Sequence, residues 1–182
     1  MPVGMMGRMT RPPLRLLLVL TLALGLAACG GGPDAGQASD DLAAMRTSVN
    51  DELKAMAGVL GASGLAVEQA TGRIDDKGMS TRRAQDYLAR AVLVGEGDEA
   101  AQVDQAATAL EDAGWSRTAA GLEAGEANPW VQLERDDFRT TIGWTKVGPR
   151  ELALSLDRAG DVEVPDDTPV VDRDNSEPMP LD

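Results

Sequence analysis

Residues 130–157 read WVQLERDDFRTTIGWTKVGPRELALSLD, and this stretch decides the fold. Two turn signals, Asp136-Asp137 and Gly148-Pro149, divide it into three segments. In the third segment leucines at 152, 154 and 156 alternate with smaller or polar residues, the period of a half-buried strand. We predict strands over 130–135, 138–147 and around 152–156. Their short connections favour an antiparallel meander.

Two helices are predicted before this region. Between 39 and 60, apolar residues recur at spacings of three and four and share one helix face. They are Leu42, Met45, Val49, Leu53, Met56 and Leu60. Ser39 or Asp40 can cap this helix and Gly61 can end it. A second helix is predicted over 99–113, with Asp98 as its cap and Gly114 as its left-handed stop.

The remaining segments complete an α+β prediction. Residues 85–94 indicate a strand, Leu65 and Val67 indicate a short one, and the Gly/Ala/Glu-rich residues 119–128 indicate a loop. Helices gathered on one face of an antiparallel sheet of about four strands form a two-layer sandwich. We therefore expect two helices on one face of such a sheet.

The N-terminus has the pattern of an export signal. Arg8, Arg11 and Arg15 precede the uncharged residues 16–28, and small residues stand before Cys29. The uncharged stretch has 13 residues, whereas a membrane-spanning helix needs about 20. Attachment to a membrane would therefore require a lipid.

The sequence Leu26-Ala27-Ala28-Cys29 resembles the lipobox of bacterial lipoproteins. The resemblance implies cleavage between Ala28 and Cys29 and a diacylglyceryl group on the Cys29 thiol. With the helix end at 109–115 and the strand pairs between 130 and 156, the chain is similar to small, uncharacterised lipoproteins of high-GC Gram-positive bacteria. The resemblance brings no catalytic residues. The alternative is an ordinary secretory leader cut at Ala28, with Cys29 left free.

These observations predict four parts. They are a signal peptide over 1–28, lipidated Cys29 with a flexible tether over 29–38, an α+β domain over 39–164 and an acidic tail over 165–182. The tail is rich in acids and prolines, which predicts disorder.

Charge limits the partners. Without the three leader arginines the chain has 14 basic and 30 acidic residues, a net charge of −16. Nucleic acid is excluded as a partner, because its binding depends on neutralised phosphates. An anionic lipid surface would repel the domain, so we expect it to stand off the membrane.

Composition also limits the chemistry. The chain has no histidine, and Cys29 is its one cysteine, which excludes Ser-His-Asp and Cys-His catalysis and the usual zinc sites. No cofactor or metal site is predicted. The acidic pairs at 40–41, 75–76, 136–137 and 166–167 are interpreted as helix starts, turns and tail rather than as a hydrolase site. Residues 172–177 lack the glycine that a calcium loop needs at its sixth position.

Two weaker candidate sites and one arginine pair remain. Lys146 and Ser155 could form a dyad across a hairpin. The aromatic residues could form a stacking platform for glycan or lipid, although aromatic residues on strands more often belong to a core. They are Tyr87, Trp130, Phe138 and Trp144. Arg82-Arg83 is interpreted as a solvated pair.

The prediction for function is a lipid-anchored, non-enzymatic envelope protein on the extracytoplasmic face of the cell membrane. Its expected partners are the membrane, through lipid on Cys29, and an envelope protein or the cell wall. A small carrier of a lipid or other apolar ligand is one alternative. A carboxylate-based hydrolase is a second, weaker one.

Overall fold

The computed structural model describes residues 34–77, 82–122, 127–172 and 174–181. These residues form two helices, α1 (Ala35–Ala62) and α2 (Glu99–Asp112), and eight strands. The strands are β1 (Ala66–Asp76), β2 (Ala84–Val94), β3 (Ser116–Gly121), β4 (Trp130–Arg135), β5 (Phe138–Trp144), β6 (Leu152–Arg158), β7 (Val162–Glu163) and β8 (Glu177–Pro178). The α+β prediction is confirmed.

The strands form one antiparallel sheet in the order β3-β4-β5-β6-β2-β1-β8, and β7 pairs with the start of β2. The meander β4-β5-β6 is as predicted, with the turn at Asp136-Asp137. The expected number of about four strands was wrong. Part of the extra pairing comes from β3, whose residues 119–121 were expected in a loop, and part from β7 and β8 at the C-terminus.

Helix α1 begins earlier than predicted. The Asp34 side chain accepts bonds from the amides of Gly36 and Gln37 at 2.9 and 3.1 Å, so Asp34 is the cap. Ala38 is already buried in the core. Residues 35–38 are therefore helical, and the predicted flexible tether over 29–38 was wrong for them. Asp98 caps α2 as predicted, accepting from the amide of Ala101 at 2.9 Å.

The core lies between the helices and one face of the sheet. Five residues of the predicted apolar face of α1 are buried, from Met45 to Leu60, and Leu42 packs beside them. Helix α2 buries Val103, Ala106, Ala107 and Leu110. The three alternating leucines of β6 are at most 1% exposed, which confirms the predicted period of two.

The chain repeats one unit. The end of α1 and the start of β1 correspond to the end of α2 and the start of β3 at an offset of 50 residues, and each unit then continues into a second strand, β2 or β4. At the end of α1 the amide of Leu65 donates to the carbonyl of Leu60 at 2.9 Å; at the end of α2 the amide of Trp115 donates to that of Leu110 at 3.0 Å. These bonds define a Schellman motif, which needs a left-handed residue. Gly64 and Gly114 supply it, with φ of 95° and 94°.

The correspondence extends into the strands. The register of β1 against β2 shifts between Val67 and Gln69, and that of β3 against β4 shifts between Arg117 and Ala119. Both shifts lie at the same distance from the left-handed glycine. Such bulges bend a strand and increase its twist, so both units leave their helix and enter the sheet in the same way.

The predicted disorder of the acidic tail, residues 165–182, was wrong for its described residues. Residues 177–178 form β8 on the outer side of β1, and the Met179 amide donates to the Ala70 carbonyl at 2.9 Å. Glu177 forms an ion pair with Arg46 at 2.6 Å. Met179 and Leu181 pack against the core. Two apolar side chains and a free sheet edge thus hold a segment whose charge alone indicates disorder.

Candidate functional site

The helices leave one face of the sheet open, and its side chains follow the strand register. The row Thr71–Arg90–Ser155–Thr141–Gln132 crosses β1, β2, β6, β5 and β4. These side chains are hydroxyls, an amide and one guanidinium, all exposed or half-buried. The next row toward the β5–β6 connection is Val92–Ala153–Gly143–Trp130. The open face therefore carries a polar row beside one with small residues and a tryptophan.

The second row contains a groove that we call the Trp130 groove. Gly143 and Ala153 form its floor, and Trp130 and Arg90 lie at its sides. The start of the β5–β6 connection, residues 145–147, closes one end. The groove has a volume of about 610 Å³. Small side chains in the middle of the row leave this space free.

Glycines hold Trp130 in place. A Cβ on Gly143 would lie 2.8 Å from the Trp130 Cβ and 3.2 Å from the Pro129 carbonyl oxygen, closer than real contacts allow. A Cβ on Gly121 would lie 2.8 Å from the Trp130 Cδ1 atom. The indole therefore lies over the edge strand β3, against a backbone that has no side chain there.

Arg150 fixes the connection between β5 and β6. Its Nε donates to Glu99 Oε1 at 2.9 Å, and its Nη1 donates to Asn128 Oδ1 at 2.7 Å. The guanidinium lies 5.5 Å from the centre of the Trp144 ring. The Trp144 indole donates to the Glu99 carbonyl at 3.1 Å. The connection is thereby tied to the start of α2.

The charge of the Trp130 groove differs from that of the other clefts. Among the described residues its lining contains Arg90 and Lys146 but no acidic side chain. The cleft beside it, which shares Arg90 and Ser155, also contains Arg73 and no acid. By contrast, six acidic and four basic residues line the cleft between Lys77 and Asp161, which therefore has a negative balance. In a region of net charge −16, an acid-free lining is a local exception.

The predicted Lys146–Ser155 pair shares this groove. Both residues line it, but the Ser155 hydroxyl donates to the Thr141 carbonyl at 3.4 Å. No hydrogen bond joins Ser155 to Lys146 in the described part of the chain. The arrangement supplies a hydroxyl and a cation to a ligand and gives no sign of an activated nucleophile.

The structure separates the four predicted aromatic residues. Trp130 and Trp144 line the groove, whereas Phe138 lies in the acidic cleft at the other end of β5. Tyr87 is buried beneath α1, with Arg46 5.8 Å from its ring centre. The predicted platform of all four aromatic residues was therefore wrong, although Trp130 and Trp144 both line the groove.

The paired acids occupy separate structural positions. Asp75 pairs with Arg73 at 2.9 Å, and Asp137 pairs with Arg158. Asp136 has the left-handed φ of 52° that the tight β4–β5 turn requires. The pair at 40–41 lies in α1, and the pair at 166–167 is exposed after β7. In the 172–177 segment Asp172 accepts from the Asp174 amide at 3.2 Å.

The interpretation of Arg82-Arg83 as a solvated pair was wrong for Arg83, which is half-buried, whereas Arg82 is exposed. Arg82 pairs with Asp161 and, at 2.9 Å, with Glu163. Arg83 pairs with Asp76 at 3.5 Å and donates to the Thr168 carbonyl. The two arginines thus neutralise acidic side chains beside the segment that leads from β7 to the edge of β1.

One acid is buried on the open face. Asp86 is 5% exposed and pairs with Lys77 at 2.9 Å, while its Oδ1 atom has no hydrogen-bond partner. Burial raises the pKa of Asp86, and the bond to Lys77 opposes this shift. That bond raises the pKa of Lys77. The carboxylate is buried and the ammonium is half-exposed. We therefore attribute the desolvation free energy of this ion pair to Asp86.

Arg90 and the hydroxyl row were missed from the sequence. Within the strand 85–94, Arg90 stands between two alanines that face the core. Strand alternation was therefore sufficient to place Arg90 on the other face. The groove itself depends on the pairing of β2 with β6, which joins residues about 60 to 70 positions apart.

Cys29, Ala28 and the rest of the predicted lipobox lie outside the described residues. In the described part of the chain no helix is long and apolar enough to cross a membrane. The described residues also contain no cluster of three or more His, Cys, Asp or Glu side chains placed to hold a metal ion.

No protein-family model, curated protein or solved structure matches this chain. What defines it is therefore its own architecture: a repeated helix–strand–strand unit in an α+β fold, with an acid-free groove on the open sheet face.

Proposed function

We propose that this protein is a lipid-anchored, non-enzymatic binding module of the cell envelope. Lipid on Cys29 holds it at the extracytoplasmic face of the cell membrane, and the Trp130 groove receives its partner. The observation that carries the proposal is the contrast in charge: an acid-free groove with Arg90, Lys146 and an indole, on a domain that is otherwise strongly acidic.

The position of the groove supports this arrangement. Helix α1 spans about 42 Å at 1.5 Å per residue, and its first turns lie beside Arg158 at the end of β6. The groove lies at the other end of β6, next to Leu152 and Trp144. Cys29 precedes Asp34 by five positions. The groove and the first turns of α1 therefore lie at opposite ends of β6.

The carrier alternative has less support. A carrier needs an apolar cavity, and the side chains between helices and sheet are closely packed. Val49, Leu110 and Leu156 are 0% exposed, and Leu53 is 1% exposed. The Trp130 groove is open to solvent and bordered by hydroxyls and cations, which suits a polar partner better than an acyl chain.

Native mass spectrometry of the full chain, gently extracted from its own membranes, tests the proposal. We expect a mass that includes acyl chains on Cys29 and a bound envelope component. The component should be lost from Trp130→Ala and retained by Trp115→Phe, which changes an aromatic residue in the core. An unacylated mass would refute the anchor. An acylated protein that never carries a component sensitive to Trp130 would refute the binding role.

A further inference from the structure

The Trp130 groove continues into a longer surface. The neighbouring cleft shares Arg90 and Ser155 with it and extends past Thr71 to Ser176. We call the two together the acid-free track. The track crosses four strand spacings, from β4 through β5, β6 and β2 to β1, or about 19 Å at the usual spacing of 4.8 Å. This length suits a linear oligomer rather than a single small molecule.

The chemistry of the track excludes most linear partners. The track crosses the strands, whose amides and carbonyls already pair with one another, so only side chains can contact a ligand there. A peptide that adds to a sheet instead uses the free backbone groups of an edge strand. An acyl chain requires a deep pocket lined by apolar side chains. The middle row of the track is instead polar, with Thr71, Ser155 and Thr141 around Arg90.

The same groups match a polysaccharide. Short hydroxyls exchange hydrogen bonds with sugar hydroxyls, and the half-buried indole of Trp130 offers an apolar surface to the C–H face of a sugar. Arg90 and Lys146 add positive charge, and a guanidinium binds a carboxylate or phosphate with two parallel hydrogen bonds. Glu151 lies 3.5 Å from Arg90, a distance at which a stronger anion can compete.

We propose that the acid-free track binds a linear anionic polysaccharide, with an anionic group on Arg90, a second near Lys146 and a sugar ring against Trp130. The inference rests on the proposed function and specifies its ligand class. Because the net charge of −16 opposes the approach of a polyanion, binding depends on the local positive charge of Arg90 and Lys146 and on the uncharged contacts of the track.

The test measures binding of polygalacturonate oligosaccharides to the full chain in detergent micelles. We expect salt-sensitive binding that is at least about fivefold weaker for the methyl-esterified polymer, which keeps the sugars and loses the charge. Arg90→Gln should weaken binding about tenfold, as loss of one charge-assisted contact predicts. Trp130→Ala should weaken it by a similar factor.

Lys146→Gln has a matched control in Lys54→Gln. Both lysines are exposed, and both changes remove one positive charge, but Lys54 lies on α1, away from the track. We expect Lys146→Gln to weaken binding about threefold and Lys54→Gln to leave it unchanged. Unfolding midpoints of all variants establish that they are folded. Equal effects of the two lysine variants would overturn the proposal.

The remaining outcomes each overturn it in a different way. Equal binding of the esterified polymer would show that binding does not depend on the negative charge of the ligand. Poly-L-glutamate that competes as well as polygalacturonate would make it an acidic-peptide site, and binding to phosphatidylglycerol vesicles that depends on Arg90 would make it a lipid site. Absence of polygalacturonate binding would refute the ligand class; native mass spectrometry would still show whether a component depends on Trp130.

Discussion

The two helix–strand–strand units make the same connection and then diverge. Both leave the helix through a left-handed glycine, bury the next side chain and shift register at the same position. In the first unit the helix has 28 residues and the strands 11 each; in the second the helix has 14 and the strands 6 each. The local connection is therefore independent of the length of the elements that it joins.

The edges of the units differ as well. The C-terminal segment covers the outer edge of β1 with β8, whereas β3 has no outer neighbour among the described strands. The aromatic residue on the second strand of the second unit, Trp130, lies on the open face, and that on the second strand of the first unit, Tyr87, lies beneath a helix. The tail thus covers the sheet edge of the first unit, whereas the second unit contributes Trp130 to the groove.

The largest effect is expected from the buried residues that follow the two glycines. Trp115 is 3% exposed and stacks with Arg135 at 5.0 Å, whereas Leu65 is 0% exposed. Trp115→Ala should lower the free energy of unfolding by about 3–5 kcal/mol. Leu65→Ala should lower it by about 1 kcal/mol less, because it loses no cation–π contact. Urea unfolding measures both values, and a larger loss from Leu65→Ala would show that the first junction dominates.

Arg135 makes the second junction the more connected one. It donates to the Ala113 carbonyl at 3.2 Å and pairs with Glu52 of α1, which joins the end of one helix to the middle of the other. On the first junction, Gln105 of α2 donates to the Ser63 carbonyl. Gln105 of the second unit therefore holds the first junction, and Arg135 of the second unit contacts Glu52 in the first, so the units are expected to unfold together.

The next effect concerns the two glycines themselves. Gly64→Ala and Gly114→Ala should each cost about 1–2 kcal/mol, because a Cβ is unfavourable at positive φ. Gly58→Ala is a matched control, since Gly58 lies inside α1 with nothing within 4 Å of a Cβ. It should stabilise the protein by about 0.5–1 kcal/mol. Thermal unfolding of the three variants gives the comparison, and unequal costs at 64 and 114 would separate the two junctions.

The sequence pattern of the helix-to-strand connection is the same in both units. Leucine, three residues, glycine and a large apolar residue occur at 60–65 and again at 110–115. The helix faces, Gly114 as a stop and the β4–β5 turn were predicted for the same reason: each depends on residues close together in the chain. The repeat itself was missed because lengths differ between the units.

What the sequence did not predict depends on distant pairing. Strand β3 contains Ser, Arg, Thr, Ala and Gly and has little strand propensity; it is ordered by pairing with β4. The tail is ordered by the free edge of β1, about 100 residues away in sequence. The groove, in turn, needs β6 beside β2. No local pattern encodes any of these.

A smaller effect is expected from the tail. Removal of residues 177–182 should cost about 1 kcal/mol, because Met179 and Leu181 are only half-buried and the exposed Arg46–Glu177 pair contributes little. Hydrogen exchange should become faster in β1 and remain unchanged in β3. Faster exchange in both strands would show that the tail stabilises the whole sheet rather than one edge.

The smallest effect distinguishes the buried charge of the first unit from the more exposed charges of the second. Burial raises the pKa of Asp86 above its ordinary value of 3.8. The stability that this group contributes is therefore complete below pH 3.8 and is lost as pH rises through the raised pKa. Asp86→Asn has no carboxyl group to ionise and so does not lose this stability. The unfolding free energy of the variant should therefore rise relative to that of wild type as pH increases from 3.8 through the raised pKa.

Glu111→Gln is the matched change in the second unit, where Glu111 pairs with the half-buried Arg117 at 2.8 Å. The bond to Glu111 raises the pKa of Arg117 further above its ordinary, strongly basic value. Arg117 therefore stays charged throughout the acidic and neutral range. Urea unfolding from pH 3 to 8 should show that Asp86→Asn gains stability relative to wild type as the pH rises, whereas Glu111→Gln, which removes one member of an ion pair, should not gain stability relative to wild type over the same range. Parallel curves for both variants would mean that the Asp86 carboxylate is solvated, and that the two units carry equivalent charges.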